Sequence, residues 1–160
     1  MLSVTILAVG RLKDRFYEDA AKEYCKRLSA YAKVNILAIR AADLPDRPSG
    51  AEISAALEKE GAELLKKLPA DAAVVSLCVE GKLYSSEGLA DFLDQTALGG
   101  TSHVAFIIGG SYGLSEEVKR RSQARLSMSK MTFPHRLARV MLLEQLYRAC
   151  KISRGEQYHK

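Results

Sequence analysis

Short runs of apolar residues alternate along this chain with segments whose apolar positions recur every three to four residues. The runs are Val4–Val9, Val34–Ile39, Ala73–Cys78 and Val104–Ile108, with a weaker one at Leu126–Met128. Each is brief and almost continuously apolar, which predicts strands covered on both faces. Between them the period changes. Phe16, Ala20, Tyr24, Leu28 and Tyr31 fall on one helical stripe, with Glu18, Lys22, Lys26 and Arg27 off it. Ile53, Leu57, Leu64, Leu65 and Leu68 mark a second helix, and Leu89, Phe92 and Leu93 a third. Ser115 predicts the N-cap of a fourth, with Glu116 and Glu117 in its first turn. Leu137, Val140, Met141, Leu143, Leu146 and Tyr147 mark a long last helix. The β-α-β-α order predicts an α/β fold, a mostly parallel sheet with helices on both faces. Asp43–Gly50, with Pro45 and Pro48, reads as an irregular loop. The tail from Ser153 to Lys160 has no periodicity, and such ends usually fray.

Composition narrows the class. A chain of 160 residues, 48% hydrophobic and 27% charged, is expected to form one globular domain over 1–160. No apolar run approaches the roughly 20 residues of a membrane span. The opening Met1–Leu7 reads as a strand and not as a signal peptide. A cytoplasmic protein with no membrane partner is expected. Cys25, Cys78 and Cys150 are far apart and in no ligand spacing, so they are expected to be buried thiols, not a disulfide or zinc set. The charge is uneven. Residues 111–160 hold 11 Lys/Arg against 4 Asp/Glu, whereas residues 1–110 hold 13 against 15. That asymmetry points to a polyanionic partner, nucleic acid foremost, meeting the C-terminal third.

In open α/β sheets, ligands sit beyond the C-terminal ends of the strands. Three segments meet that condition: Leu77–Lys82, Ile108–Gly113 and Ser127–His135. The second is a Gly-rich turn, Gly109-Gly110-Ser111-Tyr112-Gly113, but it matches neither dinucleotide nor Walker spacing. Glu116 and Glu117 would also compete with a phosphate for the helix terminus that follows. A ligand without phosphate fits better, and a bare structural turn is the alternative. The third segment sets Met128, Met131 and Phe133 among small polar residues, a combination able to pack an adenine face while the backbone reads its edge. Covering the sheet is its plainer reading. Other chemistries find little support. His103, His135 and His159 show no metal spacing, so no metal is expected. No G-x-S-x-G elbow is present. Glu58, Glu60 and Glu63 fit a solvated helix face.

Several segments in order resemble one family. They are Ile6–Lys13, Leu83–Ala90, Ile107–Leu114, Leu126–His135, Glu144–Ala149 and the ending Arg154-Gly155-Glu156-Gln157-Tyr158-His159-Lys160. Together they resemble the RlmH family, minimal members of the knotted SPOUT methyltransferases, over the whole length. The resemblance implies a C-terminal trefoil knot, a homodimer, and S-adenosylmethionine as cofactor. It implies methylation of N3 of a pseudouridine in helix 69 of 23S rRNA in the assembled ribosome. The family's cofactor positions fall on Leu77, Gly109, Met128, Ser129, Lys130, Met131, Thr132 and Phe133, with the adenine near Leu77 and Met128–Phe133. A bulky side chain at Gly109 is expected to fill space the ligand needs. The last helix, apolar nearly all round, is expected to seek a partner helix across a dimer.

The tail gains a role from the same resemblance. Alkylating N3 requires that nitrogen to lose its proton. Arg154 is expected to place positive charge against the base carbonyl oxygens, His159 to accept the proton, and Tyr158 to stack on or fix the flipped base. The residues leave three alternatives open. One is a knotted methyltransferase for another RNA position, such as a ribose 2′-hydroxyl. Another is a non-catalytic RNA- or ribosome-binding module. The third is an ATP-binding α/β protein, which the missing phosphate loop disfavours.

Overall fold

The computed structural model describes residues 1–160. Five strands alternate with five helices: β1 (Leu2–Val9), α1 (Arg15–Leu28), β2 (Ala32–Ile39), α2 (Gly50–Lys66), β3 (Ala73–Leu83), α3 (Ser86–Leu98), β4 (His103–Ile108), α4 (Glu116–Arg121), β5 (Ala124–Ser127) and α5 (His135–Ser153). The strands form one parallel sheet in the order β2-β1-β4-β3-β5. The two central strands are the most apolar, because only there is each face fully covered.

The period of two in each strand sorts its side chains between two cores. Val4, Ile6, Ala8 and Phe106 face α1, α3 and α5, where Leu28, Leu89, Leu142, Leu143 and Leu146 meet them. Leu7, Val9, Val74 and Ile107 face α2 and α4, against Leu64 and Val118. The expected α/β architecture with helices on both faces is therefore present.

Several local expectations change. The α1 stripe does not hold at its ends: Phe16 is 66% exposed, and Tyr31 lies past the helix, leading into β2. Phe16 sits in the first turn, over a cavity instead of the sheet. The irregular loop stops at Ser49, whose hydroxyl accepts the Glu52 N–H while the Glu52 carboxylate accepts the Ser49 N–H, a reciprocal cap that starts α2 at Gly50. Ser115 caps α4 as expected, accepting the Val118 N–H.

Two further differences concern the site. Leu77–Lys82 is not a simple loop after a strand, because β3 continues to Leu83. Leu77 and Lys82 both pair with Leu126, so Cys78–Gly81 form an excursion from the ladder. A Cβ on Gly81 would come within 2.8 Å of the Arg125 carbonyl, which is why glycine brings the strand back. The second difference is α5. It packs between α1 and α3 over the sheet and buries Leu142, Leu143, Leu146 and Ala149 there, while Leu137, Val140 and Met141 stay partly exposed. Of the apolar girdle, Leu146 is thus covered within one chain and Leu137, Val140 and Met141 only in part.

Candidate functional site at the strand ends

A cavity of about 1070 Å³ opens beyond the C-terminal ends of β3, β4 and β5. Its floor is the turn Gly109–Gly113, folded on itself by a Gly110–Gly113 bridge, with Gly113 in the left-handed region at φ +84°. One wall is the β3 excursion, Leu77 to Glu80. The opposite wall is the segment from Ser127 to Arg136, with Phe16 and Tyr17 of α1 at the rim. Hydroxyls shape that wall: Ser127 donates to the Ser129 carbonyl at 2.9 Å, and the Ser129 hydroxyl accepts the Met131 N–H at 3.0 Å.

Seven of the eight cofactor candidates line this cavity: Leu77, Gly109, Met128, Ser129, Met131, Thr132 and Phe133. Lys130 does not. Gly109 is present for another reason than expected. A Cβ there would come within 2.6 Å of the Gly113 carbonyl carbon, so a larger residue would first disrupt the turn. The three strand-end segments thus meet in one place, although far apart in sequence.

Reading the sequence missed several lining residues. Lys119 has a largely buried side chain that pairs with Glu80 and, at 3.6 Å, with Glu116. The Glu80 pairing raises the Lys119 ammonium pKa and holds the Glu80 carboxyl below its ordinary range. His135 and Arg136 begin α5 and close the cavity from the β1 side. Burial, then Arg136 and Arg139, push the His135 imidazole below its ordinary pKa, so it is neutral at pH 7. His135 ends one of the segments singled out in the sequence, but no local motif marked Lys119, whose pairing with Glu80 depends on the β3 excursion.

The tail candidates are ordered, but elsewhere. Tyr158 donates to Glu144 at 3.1 Å and meets the Tyr147 ring edge-on at 4.8 Å. Burial and the Glu144 carboxylate raise the Tyr158 phenol pKa. His159 bridges Glu87 at 2.6 Å and Arg148 at 3.2 Å. Arg154 lies over the Tyr31 ring at 4.7 Å. None of the three lines the cavity. The tail folds back only as far as Glu144, nine residues along α5 from His135, roughly 14 Å up the helix axis.

The family model described as "Predicted SPOUT methyltransferase" matches residues 2–159. The chain belongs to the SPOUT methyltransferase family. It is 50% identical over 159 residues to a protein of Pelotomaculum thermopropionicum named Ribosomal RNA large subunit methyltransferase H, covering 99% of each chain. Proteins of the same name from Bacillus thuringiensis and Bacillus anthracis are 49% identical, over 99% of this chain and 100% of theirs. Among solved structures, a methylase-family protein of Haemophilus influenzae aligns with TM-score 0.53 at 12% identity, over 99% of this chain and 70% of that one. One from Neisseria gonorrhoeae aligns with TM-score 0.50 at 16% identity, over 90% and 81%. These two likenesses bear on the fold alone.

SPOUT methyltransferases take their methyl group from S-adenosylmethionine, and the cavity suits that molecule. Its volume is at the upper end of small-ligand pockets, about 300–1,000 Å³. Leu77, Met128 and Phe133 offer apolar faces for a purine, and the 109–113 and 127–134 backbones offer donors and acceptors for its edge. Nothing in the lining forms a phosphate cradle. No group of His, Cys, Asp and Glu side chains is arranged to hold a metal.

Proposed function

We propose that this chain methylates N3 of a pseudouridine in helix 69 of 23S rRNA within the assembled ribosome, working in the cytoplasm as a homodimer. The proposal extends the printed name of its relatives, at half identity over essentially the whole length, to this chain. The observation that carries it is the meeting of Leu77, Gly109, Met128, Ser129, Met131, Thr132 and Phe133 around one cavity. The whole chain acts as a single methyltransferase domain. Its trefoil threading lies where residues 128–134 carry the chain from the β5 edge back to the start of α5.

S-adenosylmethionine supplies an electrophilic methyl carbon on a sulfonium. N3 would have to give up its proton to take that methyl, the sulfur keeping the electrons of the bond it loses. The chain's residues handle the rest. Leu77, Met128, Ser129, Met131, Thr132 and Phe133 hold the adenine. Arg154 sets positive charge against the base carbonyl oxygens, favouring the N3 anion. His159 accepts the proton, and Tyr158 fixes the base.

Pocket and tail are assigned to different copies. The tail is tied to its own α3 and α5, and α5 separates it from its own cavity. The cavity mouth carries Phe16, Val79, Tyr112 and Met131, all large and at least half exposed. A second copy would cover that rim and bring its tail to the pocket. Calorimetry with S-adenosylmethionine, with mass mapping of rRNA from strains with and without the gene, tests the function. Micromolar binding and one gene-dependent methyl on helix 69 are expected. A normally methylated helix 69 in the deletion strain would overturn it.

A further inference from the structure

A second concavity of about 650 Å³ adjoins the cofactor cavity, beyond the ends of β1 and β2. The two share a wall: Gly110, Ser111, Tyr112, His135 and Arg136 face both. The second one has a different character. Arg11, Lys13, Arg40 and Arg136 line it against a single acid, Glu60. That acid is engaged, accepting the Ala42 N–H at 2.9 Å.

The start of α5 closes this concavity, and its polar groups are incompletely partnered. The N-cap is Pro134, no side chain caps the helix, and the first turn carries no acid. Both features leave the positive helix end uncompensated. The buried side-chain atoms without a hydrogen-bond partner are all here: His135 Nδ1, Arg136 Nε and Arg139 Nε. Arg139 is 98% buried and is held by a single hydrogen bond, to the Gly10 carbonyl oxygen at 2.8 Å. No carboxylate pairs with it, and Gly10 itself lines the concavity. A buried guanidinium without an anion is costly. Arg136 has only a long contact to Asp14, at 3.4 Å. Arg136 and the bare helix end put positive charge on the wall of the concavity, and Arg139, which lines neither concavity itself, adds buried positive charge next to Gly10.

We infer that the concavity holds the phosphodiester backbone of the RNA beside the target nucleotide. The inference rests on the function proposed above and adds where the substrate strand runs. Guanidinium groups match phosphate oxygens in pairs, and the helix terminus adds its N–H groups. The shared wall then sets the geometry. A nucleotide whose phosphate lies against Arg136 reaches the cofactor cavity past Tyr112 and Ser111. The charge is drawn from both ends of the chain: Arg11, Lys13 and Arg40 come from the first forty residues and only Arg136 from the basic C-terminal third.

The test uses full-length protein with Lys13→Gln and Arg40→Gln together, two positions outside the cofactor cavity, and Arg136→Gln separately. Ribosome binding and steady-state methylation are measured across salt concentrations, with S-adenosylmethionine affinity by calorimetry. For the double variant we expect KM for ribosomes to rise at least tenfold, kcat to hold within about threefold, and cofactor affinity to stay within twofold. The slope of log K against log salt should fall by about 1 for each phosphate that is no longer neutralised. Unchanged ribosome affinity and salt slope would overturn the inference. So would a parallel loss of cofactor affinity in Arg136→Gln, which would assign the cluster to the cofactor's carboxylate. If the wild type neither binds nor methylates ribosomes, the functional reading itself fails. The site is then judged with a single-stranded RNA oligonucleotide, where equal binding by wild type and variants overturns it.

Discussion

The two ends of α5 are built on opposite plans. At its C-terminal end the polar groups are partnered: Arg148 with Glu144, Lys151 with Glu156, and His159 with Glu87. Tyr31, Tyr147 and Tyr158 pack edge-on around them. At its N-terminal end the cap is missing, three buried nitrogens lack partners, and two concavities open. The same helix holds a finished structure at one end and an unfinished one at the other. Folding satisfies buried polar groups wherever it can, so the unfinished end is where ligands complete the structure. The finished end explains why a tail without periodicity is ordered.

The largest effect expected separates these ends by stability. Gly109→Val should cost about 3 kcal/mol, because the added atoms overpack the Gly113 carbonyl. Denaturant unfolding measures it, and amide exchange should locate the damage at 109–113 with the tail still protected. A variant as stable as wild type would show that the turn has slack. Next comes removal of residues 155–160. It should lower methyl transfer at least tenfold, about 1.4 kcal/mol of transition-state stabilisation, while calorimetry shows S-adenosylmethionine binding intact. Normal methylation by the shortened chain would send the N3 proton by another route.

Glu144→Ala probes the finished end more gently. Arg148 and Tyr158 lose a shared acceptor, a loss of about 1 kcal/mol. Faster amide exchange confined to the tail is the expected signature, and exchange equal to wild type would mean the aromatic rings alone hold it. The smallest effect is a pH dependence at the unfinished end. His135 has a folded-state pKa below its free value of about 6.5. Between those two values the unfolded chain binds more protons, so stability falls as pH drops below about 6.5. Thermal melts from pH 7.5 to 5.5 should show the decline, reduced in His135→Gln. An identical decline in that variant would assign it to other groups.

What the sequence reveals depends on how far along the chain each interaction reaches. The central strands were legible because burial on both faces leaves an unbroken apolar run, as in Val104–Ile108. Ser115 was legible as a cap because its hydrogen bond reaches only three residues. The Cys78–Gly81 excursion was not, since it exists only through the pairing of Leu77 and Lys82 with one residue of β5. Most of one wall of the larger cavity was legible as a run from Met128 to Phe133. The basic concavity was not, because Arg11, Lys13 and Arg40 meet Arg136 only after the sheet brings β1 beside β2. Phe16 misled for a related reason: its spacing matched the helix stripe, but the strand-end cavity lies beneath it instead of a core.

The central claim is that one copy's pocket works with the other copy's tail, and mixing two defective chains tests it. One chain carries Thr132→Arg, which fills the proposed cofactor cavity from an exposed wall position. The other lacks residues 155–160. Each alone should be nearly inactive. Co-expressed and purified as mixed dimers, half the population is heterodimeric, and each heterodimer has one intact pocket facing one intact tail. The account predicts about a quarter of wild-type methylation from the mixture. Activity no greater than the average of the two parents, with heterodimers demonstrated by mass spectrometry, would contradict it and return the tail to its own chain.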